Sequence, residues 1–283
     1  MKDMQADNPQ DIENKCNACG RYIGPIYVCP FCGSKVKRSN RITYTRNLAL
    51  ALAIIGLLVF HAWSIGYGNP NVNLEDLNET SNYAYVTLSG TVTRAPVYYP
   101  GENGEAGTIY FTVDDGTGEI SVRAYPVPVV RDMLLDREKI PGFGDRVVVT
   151  GNTYWYNAER GFILNSLSQL EITRDEPIQM TIAQVNELNP EFTVGYYRVN
   201  VTGTVSSWRQ YYSSVDVTLI DGNGNEMSLY VPNSVMELTG TGPLGRLEVG
   251  MRIEAVGCLE YYDAGNNSKW EIIPANMDHV REV

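Results

Sequence analysis

The stretch Asn47–Gly66, NLALALAIIGLLVFHAWSIG, runs for twenty residues without an Asp, Glu, Lys or Arg. A helix of that length spans about 30 Å, the thickness of a bilayer's hydrocarbon core. It has no polar stripe of the kind a helix packed on a soluble core carries. A cleaved signal peptide would need a charged leader of about 45 residues, far beyond the usual form. Trp63 and Tyr67 fall where an interfacial aromatic belt is expected. His61 is the one ionisable residue in the span and reads as a neutral residue near the interface. Lys35, Lys37, Arg38, Arg41 and Arg46 precede the stretch, whereas the first basic residue after it is Arg94. The positive-inside rule therefore predicts a single-pass cell-membrane protein with a cytoplasmic N-terminus and residues 67–283 outside.

The charge divides in the same way. Residues 1–66 carry 8 Lys/Arg against 4 Asp/Glu, and residues 67–283 carry 14 against 29, a net of -15. Such asymmetry reflects compartments or partners. Cysteine usage divides too: four of five lie between positions 16 and 32. Cys16-Asn-Ala-Cys19-Gly and Cys29-Pro-Phe-Cys32-Gly are two CxxCG knuckles, which rules against an even disulfide framework. Each knuckle aims two thiolates at one centre, and the following glycine permits the tight turn behind the second. Four sulfurs make a closed tetrahedral site suited to structural Zn²⁺, with no open position for catalysis. This segment resembles the short zinc ribbons at the N-termini of many archaeal and bacterial proteins. With so little apolar surface to bury, the metal is expected to supply its folding free energy.

Residues after the apolar stretch repeat themselves at a spacing of about 106–113. Ser89-Gly-Thr-Val-Thr93 returns as Thr202-Gly-Thr-Val-Ser206, and Phe111–Gly118 returns as Val217–Gly224. Ala124-Tyr-Pro126 matches Tyr230-Val-Pro232, and Gly144–Gly151 matches Gly250–Gly257. Within the blocks apolar residues alternate, as half-buried strands require. Val86, Leu88, Gly90 and Val92 share one face; so do Ile109, Phe111 and Val113, then Ile120, Val122 and Ala124. A helix is expected over about 129–139, and its counterpart after Asn233 as N-cap. Strands four and five are expected at 146–156 and 161–172, then at 252–262 and 269–273.

Three strands, a helix and two more strands, with a glycine in the middle of the first, is the OB-fold order. The blocks SGTVT, DDGTGEI and GDRVVVTG resemble the OB-fold family of nucleic-acid-binding proteins, over most of residues 80–283. The expected fold is mainly β: two tandem five-stranded OB-fold barrels preceded by a zinc ribbon and one transmembrane α-helix. The expected organisation is a disordered N-terminus (1–13), zinc ribbon (14–34), basic juxtamembrane segment (35–46), transmembrane helix (47–66), linker (67–79) and barrels at 80–174 and 175–283.

The resemblance implies that a ligand would sit on the outer face of strands two and three and on the loops beside it. In the first copy these positions include Tyr98, Tyr99, Tyr110, Arg123, Tyr125, Tyr154 and Tyr156. In the second they include Trp208, Arg209, Tyr211, Tyr212, Tyr230 and Tyr262. Aromatic rings with an interleaved Arg form stacking platforms for bases or sugars; equally, tyrosines populate half-exposed strands without any ligand. Phosphate binding needs clustered Lys/Arg, so the net charge disfavours nucleic acid.

Neither histidine sits in a nucleophile motif, and Asp114, Asp115 and Asp221 read as turn residues. Cys258, within the fourth strand of the second copy, reads as a packed thiol. Asn78, Asn200 and Asn266 begin Asn-x-Ser/Thr sequons. The sequence thus predicts a non-enzymatic, membrane-anchored OB-fold binding or scaffold protein with structural zinc. Expected partners are membrane lipid and a protein or oligosaccharide outside, with no small-molecule cofactor. The alternative is a single-stranded nucleic-acid-binding membrane protein that stacks bases on the barrel faces.

Overall fold

The computed structural model describes residues 15–24, 26–36, 40–66, 68–101, 107–125, 127–156, 159–190, 196–263, 265 and 268–283. Segment 1–13, Lys37, Arg38, Tyr67, Pro126 and Asn266 lie outside the described residues. The chain forms two compact units, Met1–Gly68 and Asn69–Val283.

The first unit holds the cysteine module and helix α1 (Asn40–Gly66). Ala and Leu, both strong helix formers, dominate its middle. Within α1, Tyr44–Ser64 is long and apolar enough to cross a membrane. Leu48, Leu52, Ile55, Leu58 and Phe60 are all exposed, so nothing in the described chain covers this apolar surface.

The second unit is mainly β. Its first sheet contains β1 (Tyr85–Val92), β2 (Val97–Tyr99), β3 (Thr108–Asp114), β4 (Glu119–Ala124), β5 (Arg146–Tyr156), β6 (Glu159–Leu164) and β7 (Leu170–Thr173). The order β1-β3-β4-β6-β5 closes through a β1–β5 pairing, giving a five-stranded barrel with β2 and β7 as additions. Helix α2 (Val127–Leu135) lies between β4 and β5. The second sheet contains β8 (Ile178–Gln179), β9 (Arg198–Gln210), β10 (Ser214–Ile220), β11 (Glu226–Pro232), β12 (Arg252–Tyr262), β13 (Lys269–Ile273) and β14 (Val280–Glu282). Helix α3 (Ile182–Asn186) follows β8, and helix α4 (Asn233–Thr239) follows β11. Here β9-β10-β11-β13-β12 closes through β12–β9. In both sheets the third and fifth barrel strands pair in parallel, β4 with β6 and β11 with β13.

The alternating residues fill the interiors. Leu88, Ile109, Phe111, Val113, Val122, Phe162 and Leu164 pack in the first barrel; Val199, Val201, Val217, Leu219, Leu229, Ile253 and Ile272 pack in the second. A Cβ on Gly90 would lie 2.4 Å from the Asp114 carbonyl oxygen, so the strand coils tightly only with glycine there.

Four local expectations change. Segment 67–79, read as a linker, buries Leu74 and Leu77 in the first core. The Leu74 amide donates to Asp115 Oδ2 at 2.6 Å, and Arg160 donates to the Leu74 carbonyl at 2.7 Å. The α-helix expected to reach 139 stops at Leu135, because the Asp136 carboxylate caps a separate 3-10 turn at Arg137–Lys139. The strand expected over 161–172 divides at a reciprocal Ser166–Gln169 cap, and β6 and β7 pair with different stretches of β5. Asn233 does not cap α4; its side-chain amide donates to the Tyr212 carbonyl at 2.8 Å.

A buried ionic junction joins the barrels. Asp145, fully buried before β5, accepts hydrogen bonds from the Gly142 amide (2.8 Å), Arg174 Nε (2.9 Å) and the Arg198 guanidinium of β9. Phe143, Tyr196, Cys258 and Ile273 pack beside it. Burial pushes the Cys258 thiol up to about 11, in keeping with an inert packed residue.

Candidate binding faces and metal centre

The two knuckles fold alike. The Gly20 amide donates to the Cys16 carbonyl at 2.8 Å, and the Gly33 amide to the Cys29 carbonyl at 2.9 Å. Both glycines take positive φ, 70° and 69°, the conformation that lets the chain turn behind each second cysteine. All four Sγ atoms lie within 4.8 Å of one another, with Cys16–Cys32 and Cys19–Cys29 each at 3.6 Å. Tetrahedral Zn–S bonds of about 2.3 Å set sulfurs about 3.8 Å apart, so the four thiols fit such an ion. Ser34 Oγ reaches Cys16 Sγ at 3.2 Å and Cys32 Sγ at 3.0 Å. That hydroxyl is the main influence lowering Cys16 to about 6, and it also lowers Cys32. It thereby favours the thiolate at Cys16 and Cys32, whereas at Cys19 the backbone hydrogen bond at Arg21 is outweighed by burial and the neighbouring thiols, which push that thiol up to about 11.

On the first barrel, strand register assembles an aromatic and cationic face. Tyr110 stands directly across from Arg123 in the β3–β4 ladder, and Tyr154 stands across from Gly161 in β5–β6. The Arg123 guanidinium carbon lies 4.9 Å from the centroid of the Tyr110 ring and 5.2 Å from that of Tyr154. Tyr99 of β2 meets Tyr110 edge-on at 5.4 Å. Gly161 makes room for this: a Cβ there would sit 2.1 Å from Tyr154 Cζ. Arg123 Nε is buried without a hydrogen-bond partner, and among the described residues the guanidinium forms no ion pair. A flat cation is thus held by two π faces, with no carboxylate neutralising it.

The equivalent positions of the second barrel carry opposite chemistry. By ladder register, Asp216 stands where Tyr110 does, Glu260 where Tyr154 does and Glu271 where Gly161 does; Tyr230 stands where Arg123 does, not where Ala124 does as the repeat predicts, because the second copy's turn at 221–225 is one residue longer. These residues, with Tyr211, Tyr262 and Lys269, line an open groove of about 700 Å³. Lys269 Nζ lies 2.5 Å from Asp216 and 3.2 Å from Glu271, and it meets Ser228 Oγ at 3.1 Å. Burial raises the pKa of Glu260, and burial raises that of Glu271 despite the neighbouring lysine. Burial works against the charged Lys269, but Asp216 and Glu271 outweigh it and raise the lysine.

The remaining expected residues disperse. Tyr98 packs against the first core, while Tyr125 and Tyr156 are exposed. Trp208 is half-exposed, and Tyr212 projects fully into solvent. Arg209 lies over the Tyr211 ring at 5.8 Å. Asn200 is buried and donates to Glu254, which removes it as a surface acceptor, whereas Asn78 caps an exposed 3-10 turn. Asp216, Glu260 and Glu271 were not expected at a site. Their signal was an acid at each outward position of Val215-Asp-Val217 and Trp270-Glu-Ile272.

No family model matches this chain, and no curated protein matches it. Similar solved structures include a Stn1–Ten1 complex from S. pombe at 13% identity and TM-score 0.30, covering 39% of this chain and 79% of that one. A replication protein A heterotrimer bound to ssDNA is similar at 12% identity and TM-score 0.34, covering 75% and 51%. A murine DNA-binding protein bound to double-stranded DNA is similar at 15% identity and TM-score 0.26, covering 70% and 97%.

Proposed function

We propose that this chain is a membrane-anchored, non-enzymatic binding protein built from a zinc ribbon, one transmembrane helix and two tandem OB barrels. Its first barrel binds single-stranded nucleic acid. The carrying observation is Arg123, held between Tyr110 and Tyr154 with its edge unpaired and Tyr99 alongside. Such a face stacks successive bases and offers one cation to a phosphate. The net charge of -15 over residues 67–283 sets the balance of forces: with few cations available, affinity must come from stacking.

The test is anisotropy of labelled oligo(dT) and oligo(U) against the full chain in detergent, across salt. One neutralised phosphate predicts a log–log salt slope of about -0.7, far shallower than that of a basic groove. Tyr110→Ala and Tyr154→Ala should each cost about 1–3 kcal/mol. Absence of single-strand binding at low salt, or a slope of several units, would reject the reading. The basic run ahead of α1 supports an orientation with the ribbon inside and the barrels outside. Protease added to intact cells should then remove the barrels and spare the ribbon. A second reading, an acidic scaffold for a protein partner, is favoured by the same net charge; it predicts that neither tyrosine variant changes partner capture.

A further inference from the structure

We infer that Asn78 carries an N-linked glycan, transferred from a lipid-phosphate-linked oligosaccharide on the outer side of the membrane. The inference rests on the orientation proposed above, with residues 67–283 outside, and does not depend on what either barrel binds.

The sequence holds three Asn-x-Ser/Thr acceptors, at Asn78, Asn200 and Asn266, of which Asn266 lies outside the described residues. The fold separates the other two. Asn200 stands in β9 at 7% exposure, and its Nδ2, the atom that would take the sugar, donates to Glu254 Oε1 at 2.7 Å. A sugar there would break that bond and disrupt the β9–β12 ladder. Asn78, Glu79 and Thr80 are all exposed, with Asn78 in extended backbone just ahead of the 3-10 turn Glu79–Ser81. Its side chain divides two tasks between two atoms. Oδ1 accepts from the Thr80 amide at 2.9 Å and from the Thr80 hydroxyl at 2.5 Å, so the third residue of the acceptor motif holds the first in place. Among the described residues Nδ2 makes one hydrogen bond, to the Asp76 carbonyl at 3.4 Å. A sugar on Nδ2 therefore leaves the cap intact.

Order along the chain favours the same residue. The Leu74 and Glu75 amides dock on Asp115 and Thr117, 41 and 42 residues further on, and the Leu74 carbonyl docks on Arg160, 86 residues further on. During N-terminal-first synthesis Asn78 follows α1 before any of these partners exists, so a transferase meets it as free chain. Folding then leaves it exposed, whereas it buries Asn200. The transfer balances without a redox partner. Asn78 Nδ2 attacks the anomeric carbon of the donor, and the N–C bond forms as the C–O bond to phosphate breaks. The lipid phosphate leaves with the bonding pair, and a base of the membrane transferase takes the Nδ2 proton.

The experiment is mass-spectrometric site mapping of the full chain, purified in detergent from cells that N-glycosylate their secreted proteins, before and after peptide-N-glycosidase. A glycopeptide spanning Asn78 is expected, converted by the enzyme into one with aspartate at that position. Asn78→Gln and Thr80→Ala should each abolish it, Thr80→Ser should restore it, and the Asn200 peptide should be bare. Thr80→Ala keeps the backbone amide that Asn78 caps, and a thermal melt of each variant confirms that it has folded. Protease added to intact cells separates the two ways of failing. Barrels cleaved from outside with Asn78 bare overturn the inference and leave the orientation standing; barrels protected from protease overturn both. A glycan on Asn200 in the folded chain would overturn the geometric selection on which the inference stands.

Discussion

Asp145 gives the sharpest test of what holds the two barrels together. Its carboxylate is fully buried and serves Arg198 of β9 on one side and Arg174 on the other, with the Gly142 amide as a third donor. The Arg198 side chain is only 4% exposed, so Asp145→Ala leaves a guanidinium in the interior with no counter-charge. Removing one partner of such a pair costs about 3–5 kcal/mol. Against a typical total stability of about 5–15 kcal/mol, that is a large fraction. For a unit of this size it corresponds to a fall in Tm of roughly 6–20 °C. Asp145→Asn keeps an acceptor for Gly142 but not the charge, and should cost less. Arg198→Met removes the stranded cation, so the double variant Asp145→Asn/Arg198→Met should lose less than the sum of its parts. Thermal and urea unfolding of the four proteins closes the cycle. A cost below about 1 kcal/mol for Asp145→Ala, or strict additivity, would show that the junction does not depend on this pair.

Three further outcomes are expected. Chelation, or Cys16→Ser, should collapse the ribbon's near-UV signal from Tyr22, Tyr27 and Phe31 while leaving the barrels' melt unchanged, because among the described residues the thiol cluster has only Val36 and Ile23 packed with it. Gly161→Ala should displace the Tyr154 ring, cost about 1–3 kcal/mol by overpacking and abolish the two-sided hold on Arg123; a crystal structure with the ring unmoved would contradict this. Glu260→Gln should raise Tm at pH 7 but not at pH 4. Burial raises the folded-state pKa of Glu260 above 4.5, so the folded chain binds the proton more tightly and loses stability as pH rises through that raised value. An equal Tm difference at both pH values would refute the sign.

Much of this architecture was legible because it rests on patterns that physics makes local. The strand alternation of Ile109, Phe111 and Val113 and of Ile120, Val122 and Ala124 identified residues now found buried. What escaped depends on contacts between distant segments. Leu74 and Leu77 stand isolated among polar residues, and partners far along the chain, among them Asp115, Thr117 and Arg160, hold that stretch against the barrel. The division between β6 and β7 follows from a side-chain cap at Ser166 and Gln169 that overrides the apolar alternation. At the faces, aromatic content drew attention to Tyr212, which is fully exposed, and away from the acids of β10, β12 and β13. The four-cysteine centre was readable from spacing because knuckle geometry is set within a few residues.

The two barrels also separate what a repeat preserves from what it releases. Inward positions and mid-strand glycines recur because closure of the sheet requires them; Gly90 and Gly203 both leave too little room for a side chain. Outward positions have no such constraint, and there the copies diverge from tyrosine and arginine to aspartate, glutamate and tyrosine. The acidity of residues 67–283 is therefore not a uniform property that decides for or against a ligand. One face keeps an uncompensated cation between rings, while the other concentrates carboxylates beside rings.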